Sequence, residues 1–115
     1  MTLLRQGDVL LIPVDEVPRR AVRVPAVEHG GRRCLVVAHG ERTGHAHTLP
    51  AEPGITLFRD EGGAGDSGGF LEVAIASVKL HHEEHRALRI RAGRYRIVTQ
   101  RQYDPTRSGG LPVAD

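Results

Sequence analysis

Short apolar runs separated by glycine and proline dominate the chain, and they alternate with a period nearer two than 3.6. Val9-Leu10-Leu11-Ile12 opens after Gly7-Asp8 and closes at Pro13, the bounds of a buried strand. Cys34-Leu35-Val36-Val37-Ala38 follows the Gly30-Gly31 turn, and Ile55-Thr56-Leu57-Phe58 follows Pro53-Gly54, which gives two more. Ala21 to Val27 is β-prone but interrupted by Pro25, whose missing N–H confines it to a sheet edge. Phe70 to Leu80 is the longest candidate. Leu71, Val73 and Ile75 share one of its faces while Val78 and Leu80 take the other, so a bulge is expected near Ala76-Ser77. Arg86 to Arg91 and Arg94 to Gln102 flank a turn expected at Ala92-Gly93. In the second of these, Tyr95, Ile97 and Thr99 oppose Arg94, Arg96 and Val98.

No stretch of helical length carries apolar residues at i, i+3, i+4 and i+7 between proper caps. The pattern predicts an all-β fold, a small single-domain β-barrel or compact sandwich of about seven to eight short strands. The β domain is expected over residues 1–105 and a loose C-terminal tail over 106–115. Glu61 to Gly69, six of whose residues are glycine or alanine, reads as a flexible hairpin tip. It lacks the lysine and helix start of a phosphate-cradling loop.

Length adds one constraint: 115 residues suffice for one core and not for two. The longest apolar run, Val9 to Val14, is far shorter than the roughly 20 residues that span a bilayer. The N-terminal residues turn polar at Arg5-Gln6 before a signal-peptide core could form, so a cytoplasmic, membrane-free protein is expected. Cys34 is the only cysteine, which excludes an intramolecular disulfide and a multi-thiolate zinc site, and it reads as a small buried hydrophobe. Of the 16 basic residues, all but Lys79 are arginine, but 14 acids nearly balance them. Charge alone therefore does not demand a nucleic-acid partner.

Chemistry is concentrated in the histidines. Five of seven fall in His45-Ala46-His47 and His81-His82-Glu83-Glu84-His85. In a strand, i and i+2 share a face, so His45 and His47 present two imidazoles side by side. His82 and His85 flank two carboxylates in a turn that could bring further donors to the same ion. The expected ligands of a divalent metal ion are His45, His47, His82 and His85, with zinc first among the candidates. Glu84 or Glu52 would supplement them as ligand or base. Glu84 and Tyr103 are the catalytic candidates. Three protein ligands and an open position would suit a hydrolase, whereas four would make a structural site. His29 and His39 read as loop residues and His81 as an outward-facing one.

Other classes compete with this reading. A histidine pair near Lys79, Tyr95, Arg101 and Tyr103 could serve a metal-free phosphodiesterase or ribonuclease. Arg89, Arg91, Arg94 and Arg96 could engage nucleic acid or a nucleotide, although alternation with apolar residues explains them as the polar face of a strand. An uncovered edge at Ala21 to Val27 would favour a homo-oligomer. Ser67 and Ser77 lack the strand–turn–helix setting of a hydrolase nucleophile.

The ordered set Arg5-Gln6-Gly7-Asp8-Val9-Leu10-Leu11, Thr43-Gly44-His45-Ala46-His47, His82-Glu83-Glu84-His85, Ala92-Gly93-Arg94-Tyr95 and Gln100-Arg101-Gln102-Tyr103 resembles an uncharacterised family of small bacterial and phage proteins. The resemblance covers nearly the whole chain and implies shared positions at Gly44, His45, His47, His82, His85 and Tyr103. A looser resemblance is to cupins, metal-holding β-barrels, because Glu52 follows His45-Ala46-His47 after four residues. It departs from that pattern at Gly40, one position too near His45, and at Arg59 in place of the closing glycine. No histidine follows Ala92-Gly93.

Overall fold

Gly7 adopts φ 56° in the computed structural model, and the two-residue turn Gly7-Asp8 folds β1 (Leu4–Gln6) back onto β2 (Val9–Val14). The structure describes residues 2–40, 44–60 and 67–100. The other strands are β3 (Val22–Arg23), β4 (Val27–His29), β5 (Arg32–His39), β6 (Ala46–Pro50), β7 (Ile55–Arg59), β8 (Ser67–Leu80) and β9 (Leu88–Thr99). They form a six-stranded sheet in the order β1-β2-β9-β8-β7-β3 and a three-stranded sheet β4-β5-β6, antiparallel throughout. The fold is all-β. Of the two architectures expected, the compact sandwich fits, since the ladders among the described strands form two sheets and no closed barrel.

Alternation sets which residues meet between the sheets. Val9 and Leu11 from β2, Leu71 and Val73 from β8, and Tyr95 and Ile97 from β9 are buried on one side. Leu35 from β5 and Leu49 from β6 face them across the core. The slip expected in the long strand is present: Val73 pairs with Gly93, but the next pair is Ser77 with Arg91. The turn expected at Ala92-Gly93 is not. β9 runs through that point with Gly93, at φ 152°, inside the strand, and the offset is taken up by residues 74–76 of β8, which stand against Ala92 alone. Arg89 and Arg91 are exposed before the slip, and Arg94 and Arg96 after it, so the arginine face follows the phase change.

The edge segment expected over Ala21 to Val27 divides at Pro25 into β3, on one sheet, and β4, on the other. With β1 separate from β2, nine strands stand among the described residues against the about seven to eight expected. Of the hairpin tip expected over Glu61 to Gly69, residues 61–66 lie outside the described residues, as do Tyr103 and the tail over 106–115, while residues 67–69 already belong to β8 rather than to a loop. No helix of the described residues is long and apolar enough to cross a membrane.

One short connection positions the site. Thr48 and His81 exchange both backbone hydrogen bonds, N–H to carbonyl at 2.8 Å each way, and so join the edge of the small sheet to the end of β8. In an antiparallel pair the next residues along each strand also face one another. That register carries Leu49 to Leu80, both wholly buried, and His47 to His82.

Candidate metal centre

Three hairpin ends converge around His82: the Gly7-Asp8 turn, the start of β6 and the 81–87 connection between β8 and β9. The His82 ring centre lies 5.8 Å from that of His45, 4.4 Å from His47 and 4.6 Å from His85. His47 and His85 stack at 6.1 Å. Imidazoles bound to one ion at about 2.1 Å have ring centres about 5 Å apart, so this spacing is compatible with shared coordination. The four histidines singled out from sequence thus form one cluster, although 34 residues of chain lie between His47 and His82.

Within the cluster, donor atoms of His45, His82 and Glu83 lie within 4.8 Å of one another. Donors sharing one tetrahedral ion are about 3.4 Å apart, so small side-chain rotations would have to close the set. Glu83, rather than Glu84, is the carboxylate of this group. Its Oε1 accepts the Ala46 backbone N–H at 2.9 Å, and its Oε2 lies 3.0 Å from His29 Nε2. The Ala46 N–H and then His29 hold its carboxyl down at about 2. Glu84 turns instead to His45, with Oε1 3.2 Å from Nδ1.

His47 is 1% exposed and its hydrogen-bond roles can be deduced. The Gln6 amide nitrogen donates to the carbonyls of Leu80 at 2.8 Å and Arg86 at 2.9 Å, which can only accept. Gln6 Oε1 is therefore the atom facing His47 Nδ1 at 2.8 Å, and Nδ1 must carry the proton. Burial, reinforced by the neighbouring His82, lowers the His47 pKa to about 4 despite the opposing pull of Asp8. The neutral ring then presents an Nε2 lone pair to Asp8 Oδ1, 3.3 Å away. Two acceptors at that distance need a shared proton or a shared cation. A ring that donates its second N–H to an oxygen is also how metal-bound histidines are commonly held.

His82 is oriented differently. The Glu84 backbone N–H donates to its Nδ1 at 3.0 Å, which puts the proton of the neutral ring on Nε2. Burial first, and then the charge of His85, lowers its pKa as well. Gly40 and Gly7 are wedged against these rings. A Cβ on Gly40 would meet His82 Nε2 at 2.9 Å, and one on Gly7 would meet His85 Nε2 at 2.6 Å.

Three participants escaped the sequence reading. Gln6 and Asp8 flank a hairpin turn, where polar residues are ordinarily solvated; only their burial, at 3% and 6% exposure, marks them. His29, read as a loop residue, is half-buried in β4 and pairs with Glu83. The only sequence signal for Gln6 and Asp8 was membership of the motif Arg5-Gln6-Gly7-Asp8, and His29 had none. Glu52 does not join the cluster. It lies in the exposed 51–54 turn and lines a separate cavity with Arg23 and Pro53. Cys34 is buried as expected, and burial raises its thiol pKa.

Fold and site together define a two-sheet antiparallel β domain with a histidine cluster where three hairpin ends meet. The chain belongs to the family described as a domain of unknown function (DUF8820), whose model matches residues 5–100. That span includes every cluster residue from Gln6 to His85. No curated protein and no solved structure matches the chain.

Proposed function

We propose that this protein binds a divalent metal ion, zinc first among the candidates, at the cluster of His45, His47, His82 and His85, and that it is a metal-dependent hydrolase. The observation that carries the reading is the convergence of donor atoms from His45, His82 and Glu83 within 4.8 Å. The buried His47–Asp8 pair beside them supports it, since its 3.3 Å separation is close to that of two ligands on one ion. Such an ion supplies Lewis-acid polarisation and an acidified water. His45 and His82 are only half-buried, so the site is open to a ligand on that side. Glu84, exposed and with Oε1 3.2 Å from His45 Nδ1, would serve as the base in this reading.

The test is the metal content of tag-free protein by elemental mass spectrometry, with wild type beside His45→Ala and His82→Ala. Near-stoichiometric metal in the wild type, lost from both variants, is the expected result. A wild type that holds none after reconstitution with zinc, nickel, manganese and iron overturns the proposal.

A further inference from the structure

The outer face of the small sheet carries a cavity of about 410 Å³ that ends at His82 and Glu83. Its floor is built from alternate residues of two strands: Cys34 on β5, and Ala46, Thr48 and Pro50 on β6. These point away from the core-facing Leu35, His47 and Leu49. The volume falls in the about 300–1,000 Å³ range of small-molecule sites. Arg32, which pairs with the His29 that contacts Glu83, and Arg33 complete the lining beside the Gly30-Gly31 turn, and Arg33, next along β5, also lines the cavity that holds Glu52.

Charges of both signs bear on this cavity: Arg32, Arg33 and Glu83 line it, and the charge of Glu28 reaches Cys34 on its floor. Glu83 is the single carboxylate among the described lining residues, and it is already engaged by the Ala46 N–H and His29. Arg32 and Arg33 are both exposed, and among the described residues neither has a hydrogen-bond or ion-pair partner. Glu28 lies opposite Arg33 in the β4–β5 register but makes no ion pair with it. Arg94 binds Glu72 at 2.8 Å and Arg20 binds Asp60 at 2.8 Å. Two guanidinium groups without a partner among the described residues, in a cavity they share with His29, Thr48, His81 and His82, suit a planar or tetrahedral oxyanion.

We infer that this cavity binds a small molecule through a phosphate or carboxylate group held by Arg32 and Arg33, with the rest of the molecule lying over Thr48 towards His82. The anion grip stands independently of the metal reading; the delivery of the ligand to the histidines rests on it. If both hold, the substrate is a small anionic ester or amide.

Calorimetric titration with phenyl phosphate and with benzoate, on metal-free and zinc-treated protein, tests the inference. Wild type is compared with Arg32→Ala/Arg33→Ala and with Arg89→Ala/Arg91→Ala, which removes the same charge from another face. Saturable binding of at least one probe, weakened about tenfold or more only in the first double variant, is expected from the loss of charge-assisted hydrogen bonds. The tighter probe identifies the anionic group. Absence of saturable binding, or equal weakening in both double variants, overturns the inference. Zinc content is measured on the same samples. Anion binding by a wild type that takes up no zinc removes only the metal reading; zinc uptake without anion binding removes only this inference.

Discussion

Gln6 Oε1 accepts the Nδ1 proton of His47 at 2.8 Å, while the same carboxamide donates to the carbonyls of Leu80 and Arg86. One side chain thus ties β1 to β6, to the end of β8 and to the connection that carries His85. It also decides that Nε2 is the basic nitrogen of His47. Gln6→Ala leaves two carbonyls and an imidazole N–H without this partner, at about 1–3 kcal/mol for each group that water does not reach. Urea denaturation should show a loss of roughly 2–4 kcal/mol. A change below about 0.5 kcal/mol, the scale of an ordinary surface substitution, would show that the carboxamide does not hold the three elements together.

Acid should destabilise the fold in a window set by His47. The native ring, with its pKa lowered to about 4, stays unprotonated where the unfolded chain, near 6.5, takes up a proton. The unfolded state then binds more protons, so stability falls as pH drops from about 6.5 towards 4, by on the order of 3 kcal/mol in total. Glu83 acts in the same direction at lower pH: held near 2, it is stabilising while ionised, and that contribution fades as pH falls below about 4.5. Denaturation midpoints measured from pH 7.5 to 4 should decline in wild type and decline less steeply between 6.5 and 4.5 in His47→Gln, where His82, its pKa also lowered by burial, still contributes. An unchanged slope in that variant would assign the acid sensitivity to another group.

Metal binding at His82 should be visible at a neighbouring amide. Coordination through Nε2 moves the ring proton to Nδ1, which can then no longer accept the Glu84 N–H; coordination through Nδ1 displaces that hydrogen bond directly. Either way, the Glu84 amide should shift in a nitrogen–proton NMR spectrum and its hydrogen exchange should accelerate when zinc is added. Stoichiometric zinc uptake with an unmoved Glu84 amide would exclude His82 from the ligand set.

Two glycine substitutions should separate steric from conformational cost. A Cβ on Gly69, at φ 123°, would collide with the Phe58 carbonyl, which β7 holds in place. A Cβ on Gly30, at φ 60°, meets nothing within 4 Å. Gly30→Ala should cost about 1–2 kcal/mol, the left-handed backbone term alone. Gly69→Ala should cost clearly more, because backbone must move. Thermal midpoints that are equal for the two variants would show that the sheet yields at Gly69 without effort.

The sequence by itself determined the all-β class, the strand faces and the phase change in the long strand. Leu71 and Val73 against Val78 and Leu80 is a local pattern, and burial of one sheet face suffices to read it. It also singled out His45, His47, His82 and His85, because two dense clusters stand out in a short chain. It misread Gly93, since a glycine inside a strand and one in a turn carry the same local signal. Tertiary structure alone decided the rest. The Thr48–His81 bridge pairs residues 33 apart along the chain (81 − 48), and nothing local specifies it. That bridge sets His47 against His82 and leaves Glu52 outside. Gln6 and Asp8 became site residues only because their turn is pressed beneath His85, and His29 because Glu83 reaches across to β4. Burial and hydrogen-bond partnership are properties of the folded surface, and alternation along a single strand does not encode them.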